Sequence, residues 1–228
     1  MTTTRAGGVS KPPFDTFNLG DHVGDRPNAV AANRRRLAAA IGLAQDRLIW
    51  MNQVHGHRVE LIDAPRDTAI ADTDGLVTTT RRLALVVVTA DCVPVLMADA
   101  RAGVVAAVHA GRVGAQDGVV VRALEAMQDA GAGIDDVSVL LGPAVSGPNY
   151  EVPEAMAAEV EAALPGSRTT SSRGTPALDL RAGIARQLQS LGVKAIDVDP
   201  RCTFDDPNLF SHRRDAPTGR LASLIWME

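Results

Sequence analysis

The sequence predicts a mixed α/β fold: sheet at the centre, helices packed outside it, and one domain over residues 1–228. Three observations carry this. Short apolar runs concentrate mid-chain at Leu83–Thr89, Val93–Met97 and Val104–His109, the pattern of strands buried on both faces. Stretches with apolar residues at helical spacing flank them on either side. Strands and helices mix without the strict alternation of a doubly wound fold.

The elements follow in chain order. Residues 1–13 read as a mobile or loosely docked end. Asp25-Arg-Pro-Asn28 starts a helix, because proline suits a first turn and Val30, Leu37 and Ile41 follow at helical spacing; Gly42 stops it. Strands are expected over Arg47–Met51 and His57–Asp63, bracketing Asn-Gln-Val-His-Gly, and Asp72-Thr-Asp-Gly75 is a turn signal. After the three central runs, residues 116–130 form a helix with Val120, Leu124 and Met127 on one face. Val137–Leu141 is a strand ending in Gly-Pro. Helices follow over Pro153–Leu164 and Arg181–Leu191, the second closed by Gly192. Strands Val193–Val198 and Leu221–Met227 finish the chain.

Composition narrows the classes. With 46% hydrophobic and only 3% aromatic residues, Val, Leu, Ile and Ala must fill the core. A formal net charge of −4 argues against a nucleic-acid-binding surface. No apolar run approaches the roughly 20 residues of a membrane span, and the first residues lack the apolar core of a signal peptide. A cytoplasmic protein, monomeric or homodimeric, is expected. Its two cysteines, Cys92 and Cys202, make no disulfide framework.

Three chemistry-bearing residues share a setting. His55 follows an expected strand, Cys92 lies just past Leu83–Thr89, and His109 ends Val104–His109 before Gly111. Pro94 cannot donate to a ladder and favours a bulge or sheet edge there. A His, Cys, His trio suits zinc, whose preferred ligands are thiolate and imidazole, with a fourth position left open. The other reading is a buried structural thiol beside two hydrogen-bonded histidines. The spacing matches no zinc finger, and neither Cys-x-x-Cys nor His-Glu-x-x-His is present.

The blocks NLGDHVGDRPNAVAANRRRL, MNQVHGHRV, TADCVPVLM, AVHAGRVG, LGPAVSGPNYEV and RCTFDDPNLFSHRRDAPTGRLASLIWM follow one another in this order. Together they resemble the bacterial purine nucleoside phosphorylase/adenosine deaminase family. Older names for it are multi-copper polyphenol oxidase and laccase-domain protein, and one branch is the peptidoglycan editing factor. The resemblance implies zinc held by His55, Cys92 and His109. It also implies phosphorolysis of adenosine, inosine, guanosine or methylthioadenosine, and deamination of adenosine. Purine nucleosides and phosphate are then the partners. Copper suits less well, because a laccase needs many histidines and this chain has five.

Other roles are expectations on the same footing. Asp91 is a candidate proton shuttle, or else holds a backbone turn. Arg34 is a candidate phosphate ligand on the first helix, and Arg213 in the FSHRRD loop is another, unless it pairs with Asp215. Asn52 and Gln53 can bind a substrate or satisfy a strand end. Tyr150, the only tyrosine, can stack on a base or pack in the core. His22 reads as a pocket-edge residue, His57 as exposed, His212 as an unassigned loop residue and Cys202 as a structural thiol. One departure stands out. Many family members read Ala-Gly-Trp-Arg-Gly after the second histidine, and this chain has Arg112 and Val113 there. On an extended strand that shift reverses the face of the cation. Competing readings are a cysteine amidase acting on peptidoglycan precursors, with Cys92 as nucleophile, and a non-catalytic partner protein.

Overall fold

The computed structural model describes residues 1–228. Its elements run α1 (Pro27–Ala40), β1 (Leu48–Ile49), β2 (Val59–Leu61), β3 (Gly75–Thr78), β4 (Ala84–Thr89), β5 (Val93–Asp99), β6 (Val104–Ala110), α2 (Arg112–Gln116) and α3 (Val119–Asp129). They continue with β7 (Ser138–Leu141), α4 (Glu154–Ala163), β8 (Arg168–Thr170), β9 (Pro176–Leu178), α5 (Leu180–Ser190), β10 (Ala195–Val198), α6 (His212–Asp215) and β11 (Leu221–Ile225). A three-stranded sheet has the order β1-β4-β11, and a six-stranded sheet the order β10-β7-β5-β6-β3-β2. Strands β8 and β9 form a separate hairpin.

The burial pattern of the three central strands follows from what covers them. Along β4, Ala84, Val86 and Val88 pack with Leu37 of α1, whereas Leu85 and Val87 pack with Leu96, Val105 and Ala107 of the larger sheet. The far face of that sheet, through Val95, Met97, Ala106 and Val108, packs on α3, α4 and α5 through Leu124, Val160 and Ile184. The layers are therefore helix, small sheet, large sheet and helices, and β4, β5 and β6 are enclosed on both sides. Period-two alternation then puts His109 on the same side of β6 as Val105 and Ala107, the side facing the small sheet.

Four expectations change. Residues 1–13 are anchored at their start. Thr2 bridges Ser223, Thr3 donates its backbone N–H to Ala222 O at 2.9 Å, and its hydroxyl accepts from Ala222 N at 3.0 Å. The outer edge of β11 offers unpaired groups, and these residues satisfy them. Pro94 lies at no sheet edge, since β5 pairs with β6 on one side and β7 on the other. It is tolerated because it lies one residue beyond the last β7 pair, Val95 with Leu141, where its carbonyl still accepts from Gly142 N at 2.8 Å. Gly142 makes room for the ring, because a Cβ there would lie 2.7 Å from Pro94 Cγ. The turn signal at Asp72–Gly75 leads straight into an unexpected strand, β3, which runs antiparallel to β6 and parallel to β2. The helix expected over 116–130 starts later, as α3 at Val119, because Gly118 takes a φ of +80° that suits glycine; the short helix α2 before it was not expected.

Candidate metal centre

Cys92, His109 and His55 arrive at one point from three separate segments. In the β5–β6 ladder Pro94 lies directly opposite His109, so Cys92, two residues earlier, reaches the same end of the pair. His55 comes from the Asn52–Gly56 loop. The donor atoms of the three residues lie within 4.8 Å of one another. Cys92 Sγ is 3.8 Å from His55 Nε2, and the two imidazoles meet edge to face with centroids 4.7 Å apart. Gly111 leaves this space open: a Cβ there would sit 2.7 Å from His55 Cδ2 and 3.4 Å from Cys92 Sγ.

One carboxylate that sequence reasoning missed orders both histidines. Asp74, fully buried, accepts from His109 Nδ1 at 2.8 Å, leaving Nε2 as the free ring nitrogen. The same carboxylate accepts the backbone N–H groups of Val54, His55 and Gly56 at 3.2, 3.0 and 2.8 Å. Three successive amides on one anion form a nest, and His55 adopts a φ of +60° within it. Asp74 O also accepts His109 N at 2.7 Å. Burial pushes the Asp74 carboxyl up, but the bonds from His109 and from the Gly56 and Val54 amides outweigh this and hold it below its ordinary value. The only sequence signal for this residue was a turn motif.

Electrostatics couple the thiol to the rings. Burial pushes the Cys92 thiol up, but the charge and hydrogen bond of His109, then those of His55, outweigh burial and lower it to about 6. Burial pushes His109 down, while Cys92 and Asp74 bring it up to about 9. A thiolate beside imidazoles is a soft, anionic donor set. Tetrahedral zinc, with bonds of 2.0–2.3 Å, needs donors about 3.5 Å apart. The trio fits a metal ion with little rearrangement, and Asp74 stands behind His109 as the partner such ligands usually have.

The trio opens into a cavity of about 640 Å³, within the usual range for small-molecule sites. Asp91, Arg112, Tyr150, Arg213 and Gln53 line it. Asp91, at φ +96°, has its carboxylate held by Thr203 Oγ1 at 2.6 Å, Ser211 Oγ at 2.7 Å and Arg213 N at 2.7 Å, which is the turn-holding arrangement. Arg213 lies over the Tyr150 ring at 4.8 Å and donates to Glu151 O, so Arg214 and not Arg213 pairs with Asp215. Arg112 opens helix α2. The segment is helical, so moving the cation by one position does not reverse its face, and Arg112 lines the cavity while Val113 is 40% exposed. The Gln53 side-chain amide is engaged with Val88, donating to its O and accepting from its N, each at 2.8 Å.

Two expected residues stand outside the cavity. Arg34 donates to Leu19 O, pairs with Asp21 at 3.1 Å and covers Trp50 at 3.9 Å, so its guanidinium is turned away from the trio. Asn52 is exposed and within 3.5 Å of Asp72 Oδ1. His22 and His212 line the cavity, as does Arg220, which the sequence reading did not single out. His57 is exposed, 3.8 Å from Asp117. Cys202 Sγ accepts from Ser146 Oγ and N and from Asn149 Nδ2, a structural setting.

Fold and site together define a class: two stacked sheets between helices, with a His, Cys, His centre at one mouth of the stack. The chain belongs to the family described as multi-copper polyphenol oxidoreductase laccase, whose model matches residues 1–228. It is 78% identical over 228 residues to a purine nucleoside phosphorylase of Mycobacterium bovis, covering 100% of this chain and 91% of that protein. It is 57% identical over 227 residues to a purine nucleoside phosphorylase of Corynebacterium glutamicum, covering 99% of this chain and 92% of that protein. Among solved structures, YlmD from Geobacillus stearothermophilus superposes with a TM-score of 0.93 at 34% identity, over 100% of this chain and 90% of that one.

Proposed function

We propose that this chain is a zinc-dependent purine nucleoside enzyme. It cleaves adenosine, inosine, guanosine or methylthioadenosine with phosphate, and it deaminates adenosine. The observation that carries the reading is the convergence of His55, Cys92 and His109 at the base of a nucleoside-sized cavity, in a chain whose relatives bear the phosphorylase name. Zinc, when bound, supplies Lewis acidity and an open position beside the substrate. A single thiolate-and-imidazole trio favours zinc over the several coppers of the family's older name.

The chain's own residues do the rest. Asp74 holds His109 with Nε2 free and pins the turn that carries His55. Tyr150 offers a ring face for the purine, backed by Arg213. Asp91 ties the loops bearing Thr203, Ser211 and Arg213 to the strand end beside Cys92. Arg112 and Arg213 add positive charge to the cavity wall. No helix is long and apolar enough to cross a membrane; a cytoplasmic setting belongs to this reading.

The test is metal analysis of purified protein with an adenosine assay run with and without phosphate. Adenine and ribose 1-phosphate are expected with phosphate, inosine without it, and Cys92→Ala loses both. Full phosphorolysis by metal-free protein would refute the reading.

One observation favours a second reading. Cys92, His109 and Asp74 follow one another as thiolate, imidazole and carboxylate, the order of a nucleophilic triad. A metal-free cysteine amidase acting on peptidoglycan precursors would use it. A covalent adduct on Cys92, with amidase activity undiminished after chelation, distinguishes the two.

A further inference from the structure

Arg220 is a cavity residue with its charge unanswered. Most partly buried arginines of this fold face carboxylates: Arg34 pairs with Asp21, Arg214 with Asp215, Arg5 with Asp15. Arg220 has no carboxylate partner. Its Nη1 donates to Thr218 O at 3.0 Å and Gly219 O at 3.1 Å, and its Nε and Nη2 make no protein hydrogen bond. Burial lowers its pKa, and the negative groups that act on it are Cys92 and Asp91, at the metal trio. Neither touches the guanidinium, so a partly buried cation with two unused donor nitrogens is left open to an anionic ligand.

The side chain is also built into place. Gly20 lies against its stem, and a Cβ there would come within 2.6 Å of Arg220 Cγ. Asn18 Oδ1 accepts both Gly20 N and Arg220 N, at 3.0 and 2.9 Å, which clamps the Asn18–Gly20 segment around the arginine.

We infer that Arg220 forms the seat for the inorganic phosphate that attacks the nucleoside. The proposal rests on the phosphorylase reading and deepens it. The free edge of a guanidinium presents two donors to two oxygens of one phosphate. In the reaction a phosphate oxygen bonds to the anomeric carbon as the bond from that carbon to the purine nitrogen breaks. The electron pair leaves with the purine, which takes up a proton. A fixed cation holds the phosphate at the attacking distance.

The experiment measures binding of inorganic phosphate by calorimetry, with and without zinc, to wild type, Arg220→Gln, Arg220→Lys and Gly20→Ala. Phosphate and nucleoside KM values are determined alongside. Expected is a loss of phosphate affinity of about 10- to 100-fold in Arg220→Gln, with a rise in phosphate KM at least tenfold greater than in nucleoside KM. Arg220→Lys retains part of the affinity. Gly20→Ala, which keeps the charge but displaces the stem, weakens phosphate in the same direction. Unchanged phosphate affinity in Arg220→Gln, or no phosphate binding by wild type, overturns the inference. Phosphate binding that depends on Arg220 in a protein that cleaves no nucleoside upholds the seat and refutes the phosphorylase reading.

Discussion

Asp74 shows how much of this site depends on one residue that carries no obvious signature. Its two oxygens take four donors from both histidine-bearing segments. Asparagine would keep the size but replace one acceptor oxygen with an N–H₂ group facing an N–H donor. Asp74→Asn is therefore expected to lower zinc affinity by about 10- to 100-fold, read by competition with a chromogenic chelator. An unchanged affinity would show that the carboxylate only fills space. At the same scale, Arg34 explains why residue type does not settle role. It had the right charge and the right helix face, but Asp21 and Trp50 claim its guanidinium.

At the scale of elements, the β5–β6 hairpin does the positioning. Its register sets Pro94 opposite His109 and so brings Cys92 to the trio. The other end of the hairpin is fixed by Asp99, 1% exposed, whose carboxylate accepts the backbone N–H groups of Arg101, Ala102 and Gly133 at 2.9 Å each. The Ala102 and Gly133 amides foremost hold its pKa below the ordinary value. A carboxyl whose folded pKa is depressed contributes stability that is present above about pH 4 and is lost as pH falls through the folded value. Wild type should thus lose more stability between pH 6 and pH 3 than Asp99→Asn does. Urea midpoints at the two pH values measure this, and identical losses in both proteins would contradict it.

At the scale of the whole molecule, two sheets stack so that strand ends from both meet at one mouth, and the cavity lies there. The small sheet has β11 at its margin, closed by Thr2 and Thr3. Deleting residues 1–4 removes those bonds and bares the edge. Residues 1–3 make five hydrogen bonds to Ala222, Ser223 and Leu224, so at about 1 kcal/mol net each the loss should be about 5 kcal/mol. This lowers Tm by about 10–20 °C, with greater aggregation as the edge is freed. A thermal scan checks it, and an unchanged Tm would mean that the first residues contribute no stability.

The sequence by itself determined the elements whose signals are local. Runs such as Leu83–Thr89 are apolar throughout because both faces are covered, and helices such as α5 repeat at 3.6 residues. The ordered blocks around His55, Cys92 and His109 also marked the family. What only the tertiary structure decided is which groups face one another. Asp74 meets His109 across 35 residues and Cys92 meets His55 across 37, while β3 is too short and glycine-led to show a period. Arg220 gives no sign in the chain that it will lack a counter-ion. Periodicity records how a residue sits on its own strand or helix. Partnership depends on which strands lie side by side, and that is fixed only when the sheets pair and stack.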